Sequence, residues 1–284
     1  MIVGGAWLAA NREHVLLADV RWYADGRSGA AGYRAGHLPG ATYVDLDAAL
    51  AAAPSQQLGR HPLPAPEEFA LAMSDAGIGD DDLVVAYDDA GGVIAARLVW
   101  MLRATGHVAA LLDGGIGAYG GPLEIGGGIR PPAVFTAPPW PAELLATADE
   151  VASPGGGVVV VDARPRERFA GEADALDPRG GHVPGARSLP CRELLGHTGA
   201  LRPADELVTL ANGVGISAGT PVIAYCGSGV TACHDLLVLE WLGLGRGRLF
   251  PGSWSQWSRD PDRAVETGPD RGTAGERPGT TAPG

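Results

Sequence analysis

The chain has no lysine; its 21 basic residues are all arginine. Schiff-base chemistry is therefore excluded, and any anionic ligand must be held by guanidinium groups and backbone N–H. Only three cysteines occur, Cys191, Cys226 and Cys233. An odd number without paired spacing excludes a disulfide framework and predicts a reducing, cytoplasmic setting. No apolar run is long enough to span a bilayer, and residues 1–7 lack the basic start of a signal peptide. No His/Cys/Asp cluster has ligand spacing, so neither a metal nor an organic cofactor is expected. The net charge of −12 argues against nucleic acid or an anionic membrane as partner. What remains is a globular composition, 45% hydrophobic and 19% charged, long enough for two domains with separate cores.

Within that frame one segment carries chemistry. The apolar run Pro221-Val222-Ile223-Ala224-Tyr225 delivers Cys226 into the turn Gly227-Ser228-Gly229-Val230-Thr231, and a helical pattern follows. Backbone N–H groups of such a turn converge, and the helix start adds its positive end, so both favour an anion at the sulfur. The geometry predicts an accessible, nucleophilic thiolate with a lowered pKa. The competing reading is a buried structural cysteine.

The chain also repeats itself. Leu17-Ala18-Asp19-Val20-Arg21 parallels Val160-Val161-Asp162-Ala163-Arg164, Gly36-His37-Leu38-Pro39-Gly40-Ala41 parallels Gly181-His182-Val183-Pro184-Gly185-Ala186, and Val85-Ala86-Tyr87-Asp88 parallels Ile223-Ala224-Tyr225-Cys226. The matches keep the same order at offsets of about 138–145 residues, the mark of a tandem duplication. Short apolar runs at 15–18, 83–87, 109–112, 158–161, 222–225 and 248–250 alternate with amphipathic stretches, which predicts an α/β fold with parallel sheets. We expect domains at 1–125 and 143–267, a Gly/Pro-rich extended linker at 126–142, and a disordered Gly/Pro/polar tail at 268–284.

The duplicated motifs, with the loop from Cys226 to Thr231 and the closing Gly252-Ser253-Trp254, resemble the two-domain rhodanese-type sulfurtransferases over roughly residues 1–268. The resemblance implies tandem rhodanese-like domains in which the second is catalytic and its cysteine carries sulfur as a persulfide. The donor would be 3-mercaptopyruvate or thiosulfate, and the acceptor cyanide, a thiol or a thioredoxin-like protein. The first copy has Asp88 and Asp89 in place of the cysteine and reads as inactive. The resemblance further implies a relay of Ser228 with Asp47 and His61, whose alternative reading is surface loop polarity. It assigns Arg168 to the donor's anionic head, where a pair with Glu172 is the alternative. Gly227, Gly229, Val230 and Thr231 would line the substrate site. A second anion-binding arginine of the mercaptopyruvate branch would fall near Ala175, and the nearest candidate is Arg179.

Three further expectations follow from the residues. Cys233 and Cys191 read as packing, with a resolving thiol as the minor reading of Cys233. His37 and His182, in equivalent turns of both copies, read as turn-stabilising. The loop Gly227-Ser228 has no basic side chain for the compact thiosulfate dianion, which favours 3-mercaptopyruvate. Two rivals are weaker. A phosphatase loop needs an arginine six residues after the cysteine, where Ala232 stands, and a purely recruiting module has no use for Cys226 in a Gly-rich loop.

Overall fold

The computed structural model describes residues 1–128, 130–172 and 176–270. The first half carries five strands, β1 (Ile2–Val3), β2 (Leu16–Asp19), β3 (Thr42–Tyr43), β4 (Val84–Tyr87) and β5 (Ala109–Leu112), in the order β1-β5-β4-β2-β3. The second carries β6 (Val159–Asp162), β7 (Arg187–Ser188), β8 (Val222–Tyr225) and β9 (Arg248–Leu249), in the order β7-β6-β8-β9. Every pairing is parallel. All residues of β2, β4, β5 and β8 are buried, the result expected of a parallel sheet covered by helices on both faces.

Register repeats with the sequence. Asp19 pairs with Tyr87 in the first sheet, and Asp162 pairs with Tyr225 in the second. Each Asp-x-Arg motif then makes a buried two-pronged ion pair, Arg21 on Asp19 and Arg164 on Asp162. The same guanidinium donates at 2.7 Å to Gly36 O and at 2.6 Å to Gly181 O. His37 and His182 stack on Tyr33 and Phe169 and bond the carbonyls of those residues, so both serve the turns. The six expected strands form, with ends shifted by about one residue, whereas the two-residue strands β1, β3 and β7 have too little pattern to be read. Where the first sheet has β1, the second has a single parallel bridge, Leu145 to Leu249.

The two halves meet along the helices Ala96–Ala104 and Ala232–Trp241, and their apolar residues form one continuous core. Arg103 clamps Glu240 across this contact at 2.8 and 3.1 Å. The linker is extended but docked: Trp140 donates to Pro64 O at 2.7 Å and packs on Phe69, and Phe135 is buried beside it. The expected tail needs correction at its start. Gly268 N donates to Ala170 O at 2.7 Å, and Ser188 N donates to the Asp270 carboxylate at 2.8 Å, so residues 268–270 hold to the second domain. The rest of that expectation, 271–284, lies outside the described residues. Among those, no helix is long and apolar enough to cross a membrane.

Candidate active site

β8 ends at Tyr225, and Cys226 follows at the floor of a cavity of about 560 Å³ between the two domains. The accessible thiol expected from the Gly-Ser-Gly turn is corrected here: Cys226 is only 2% exposed. The loop stays close because the next turn braces it. Cys226 N donates to Ser253 Oγ at 3.2 Å, Trp254 N to Cys226 O at 3.0 Å, and Ser255 N to Gly227 O at 2.8 Å. Ser253 holds φ at 51°, the single non-glycine in the left-handed region among the described residues. Its hydroxyl also donates to Phe250 O at 2.9 Å, an anchor that offsets the strain. Gly229 has φ of 76°, and a Cβ there would sit 2.6 Å from Pro251 O, so only glycine makes this turn.

Among the described residues, the N–H groups of Gly227, Ser228, Gly229, Val230 and Thr231 donate to no protein acceptor. The equivalent loop of the first domain shows what such a turn binds. Asp88, fully buried, accepts from the N–H groups of Ala90, Gly92, Ile94 and Ala95 at 2.7–2.9 Å. Burial pushes its carboxyl pKa up, while those four donors pull against it. One loop holds its own anion, and the other opens on a cavity.

The first domain supplies the remaining polar groups. His61 Nδ1 lies 2.7 Å from Ser228 Oγ, and its Nε2 lies 3.1 Å from Asp47 Oδ1. Asp47 is steadied at its other oxygen by Trp22 Nε1 at 2.8 Å. Burial pushes the His61 pKa down to about 4. Asp47 opposes the shift, and Arg97 and Arg60 add to it. The ring is then neutral at pH 7. Because the Asp47 carboxylate can only accept, Nε2 carries the proton, and Nδ1 accepts from the Ser228 hydroxyl. The arrangement is a hydrogen-bonded chain from Asp47 through His61 to Ser228, two positions past Cys226.

Other expected residues fare differently. Gly227, Val230, Thr231 and Arg168 line the cavity, Arg168 from the helix Arg166–Ala170. Gly229 shapes the turn and does not line it. Arg179 is a correction: it donates at 2.8 Å to Ser258 O, 2.9 Å to Arg263 O and 2.9 Å to Trp257 O, and also to Asp260 O. Its fork is consumed in holding the segment after the Trp254–Trp257 turn, away from the cavity. Cys233 packs in the core, with burial pushing its pKa up to about 12. Cys191 is likewise buried with a raised pKa, yet it lines the cavity wall.

Arg97 was not anticipated. It is fully buried on the helix Ala96–Ala104 and donates to Gly229 O at 2.9 Å, to His61 O at 3.2 Å and to Leu50 O. One guanidinium thus ties the relay histidine of one domain to the cysteine loop of the other. No carboxylate pairs with it among the described residues, and burial pushes its pKa down. The available signal was a lone arginine inside the apolar run Val93-Ile94-Ala95-Ala96-Arg97-Leu98-Val99-Trp100.

Comparisons with known proteins agree with this fold. The family model for the rhodanese-like domain matches twice, at residues 5–121 and 147–260. A Pseudomonas aeruginosa protein named "Probable 3-mercaptopyruvate sulfurtransferase" is 40% identical, covering 89% of this chain and 93% of its own length. An Arabidopsis thaliana protein named "Thiosulfate/3-mercaptopyruvate sulfurtransferase 1, mitochondrial" is 33% identical, covering 94% of this chain and 78% of its own. The crystal structure of SseA from Escherichia coli, titled for the rhodanese fold and mechanism of 3-mercaptopyruvate sulfotransferases, superposes with a TM-score of 0.78 at 37% identity. It covers 89% of this chain and 98% of SseA. With the family model matched in both halves and relatives of this identity along nearly the whole chain, the protein belongs to the two-domain rhodanese family of sulfurtransferases.

Proposed function

We propose that Cys226 is the sulfur carrier, that 3-mercaptopyruvate and thiosulfate are its donors, and that a thiol, a thioredoxin-like protein or cyanide is the acceptor. The observation that carries this reading is the convergence of the Asp47–His61–Ser228 chain on the loop of Cys226. With 3-mercaptopyruvate, the Cys226 thiolate attacks the donor's sulfur. The S–C bond breaks, and its electron pair leaves on the pyruvate enolate. Ser228 and neutral His61 take the thiol proton and return it to the enolate carbon. With thiosulfate the S–S bond breaks instead, and the pair leaves on sulfite. An acceptor thiolate or cyanide then attacks the outer sulfur and regenerates the Cys226 thiolate, a ping-pong cycle.

The unengaged N–H groups of the loop suit the charge that collects on the outer sulfur. Arg168, on the cavity wall, is assigned to the donor's carboxylate or sulfonate. The chain's own residues suffice for every step, so the reading calls for no metal or organic cofactor. Domains at 1–125 and 143–267 and a cytoplasmic setting complete the proposal. Intact-mass measurement after incubation with each donor tests it. The native chain should gain one sulfur, and Cys226→Ser none, while Cys233→Ser gains it as the native chain does. Sulfur on the Cys226 variant, or none on the native chain from either donor, overturns the assignment.

A further inference from the structure

We infer that Arg60, from the inactive domain, is the residue that admits thiosulfate, by lending the cysteine loop a cation that its own sequence lacks. The inference rests on the sulfur-transfer reading of Cys226. From sequence the loop looks neutral, because Gly227-Ser228 brings no charge. In the fold the neutrality disappears. Arg60 Nη2 lies 3.0 Å from the point where a Cβ on Gly227 would stand. A side chain at 227 and this guanidinium would therefore compete for one space, and glycine leaves it to the arginine.

The placement is built, not incidental. Gly59 turns the chain with φ of 90°, and a Cβ on it would meet both Gly252 O and Ser255 Oγ at 2.6 Å. Arg60 N donates to Ser255 Oγ at 3.0 Å, so the segment is fastened to the same turn that braces Cys226. At its far end, Arg60 Nη1 donates to Leu176 O at 3.1 Å and pairs with Asp177. Asp177 also faces Arg259 Nη1 at 3.8 Å. The Asp177 carboxylate is thus shared between two guanidiniums. Nη1 is held, and Nη2 is left facing the loop in the cavity that Arg60 lines.

The chemistry of the donors makes this position selective. Thiosulfate places both negative charges within two bonds of the sulfur that Cys226 attacks, and the departing sulfite is also a dianion. A cation beside Gly227 meets that charge in the ground state and as it grows on the leaving group. 3-Mercaptopyruvate puts its carboxylate farther from the sulfur, toward Arg168, and its leaving enolate needs a proton. His61, the next residue along, serves that need. Adjacent residues of one loop would thus equip one cysteine for two donors.

The test is the ratio of kcat/KM for thiosulfate to that for 3-mercaptopyruvate, in the full chain with cyanide as acceptor. Arg60→Gln should lower the ratio at least about tenfold, the scale of losing a hydrogen bond to a charged group, and Arg60→Lys should lower it less. Asp177→Asn separates charge from scaffolding: it breaks the same ion pair but keeps the Arg60 cation, so it should not lower the ratio. Melting temperatures of all three variants identify any that fail to fold, and Arg60→Lys carries the test if Arg60→Gln does. An unchanged ratio in the Arg60 variants, or an equal fall in Asp177→Asn, overturns the inference. Sulfur loading in the native chain by neither donor overturns the sulfur-transfer reading and this inference with it; loading with an unchanged ratio overturns this one alone.

Discussion

The two domains place Asp88 and Cys226 at the same point of the same fold, one residue past Tyr87 and Tyr225 on the central strands β4 and β8. In both, a turn of converging N–H groups follows the strand. In the first domain the Asp88 carboxylate fills that turn, with four short N–H bonds and no solvent contact. In the second, the corresponding donors have no internal acceptor and face a cavity. The first domain thus shows the kind of group that such a turn can hold, a compact carboxyl accepting from four N–H donors. The division of labour goes further on the proposed reading, because the first domain brings Asp47, His61, Arg60 and Arg97 beside the Cys226 loop of the second. Its own loop is closed, and its contribution is the opposite wall of the cleft.

The largest expected effect tests that contribution. His61→Ala removes the base, and general acid–base groups contribute about 10²–10⁴-fold. The fall in kcat should reach that range with 3-mercaptopyruvate, whose proton must move. It should be smaller with thiosulfate, which brings no proton. Asp47→Asn should act in the same direction by about tenfold, since it loosens the ring's orientation but leaves the ring in place. Steady-state rates with both donors decide it; equal losses for the two would remove the relay from the mechanism.

The comparison between domains also explains how much could be read in advance. The duplication, the α/β class, the repeated Asp-x-Arg motif and the Cys226 loop are local patterns, and each was legible in order along the chain. Asp47 and His61 were reachable only through family resemblance, because their meeting with Ser228 spans up to 181 positions, from Asp47 to Ser228. Arg97 and Arg60 were not reachable. An arginine in an apolar run, or in a Gly-Arg-His loop, acquires a role only when the other domain brings Gly229 and Gly227 against it. Arg179 shows the reverse failure. Proximity in sequence to the expected anion site suggested a ligand, whereas the fold uses its fork on four backbone carbonyls. The burial of Cys226 was missed for a related reason: the brace from Ser253 to Ser255 begins 27 positions later, from Cys226 to Ser253.

A second way to sharpen the comparison is to empty the closed loop. Asp88→Ala leaves four N–H groups without an acceptor, three of them buried, and each unmet buried group costs about 1–3 kcal/mol. Allowing for relaxation, we expect a loss of about 3–5 kcal/mol in unfolding free energy, read from denaturant midpoints. Activity per folded molecule should persist, since Asp88 does not line the active cavity. Asp88→Cys in a Cys226→Ser background should take up no sulfur, because a thiol there faces a closed loop with no relay. Sulfur uptake by that double variant would show that the first loop opens in solution.

The smallest effect concerns the two helices that join the domains. Buried Arg97 stands in the first helix, and buried His234 and Asp235 stand in the second. His234 is buried without a hydrogen-bond partner among the described residues, and burial pushes its pKa down to about 4. Burial pushes the Asp235 carboxyl pKa up instead. The sign then follows. Below an ordinary histidine pKa of about 6.5 the unfolded chain takes a proton that the folded chain refuses until about pH 4, so His234 removes stability as pH falls through that window. His61 acts the same way, and Asp235 acts oppositely, because the folded state holds its proton more tightly. His234→Leu should therefore flatten the acid side of the stability profile. Relative to the native chain at pH 7.5, the gain at pH 5 should be on the order of 2 kcal/mol. Urea midpoints at the two pH values measure it. A variant whose profile runs parallel to the native one would mean that His234 takes up its proton in the folded state as readily as in the unfolded chain.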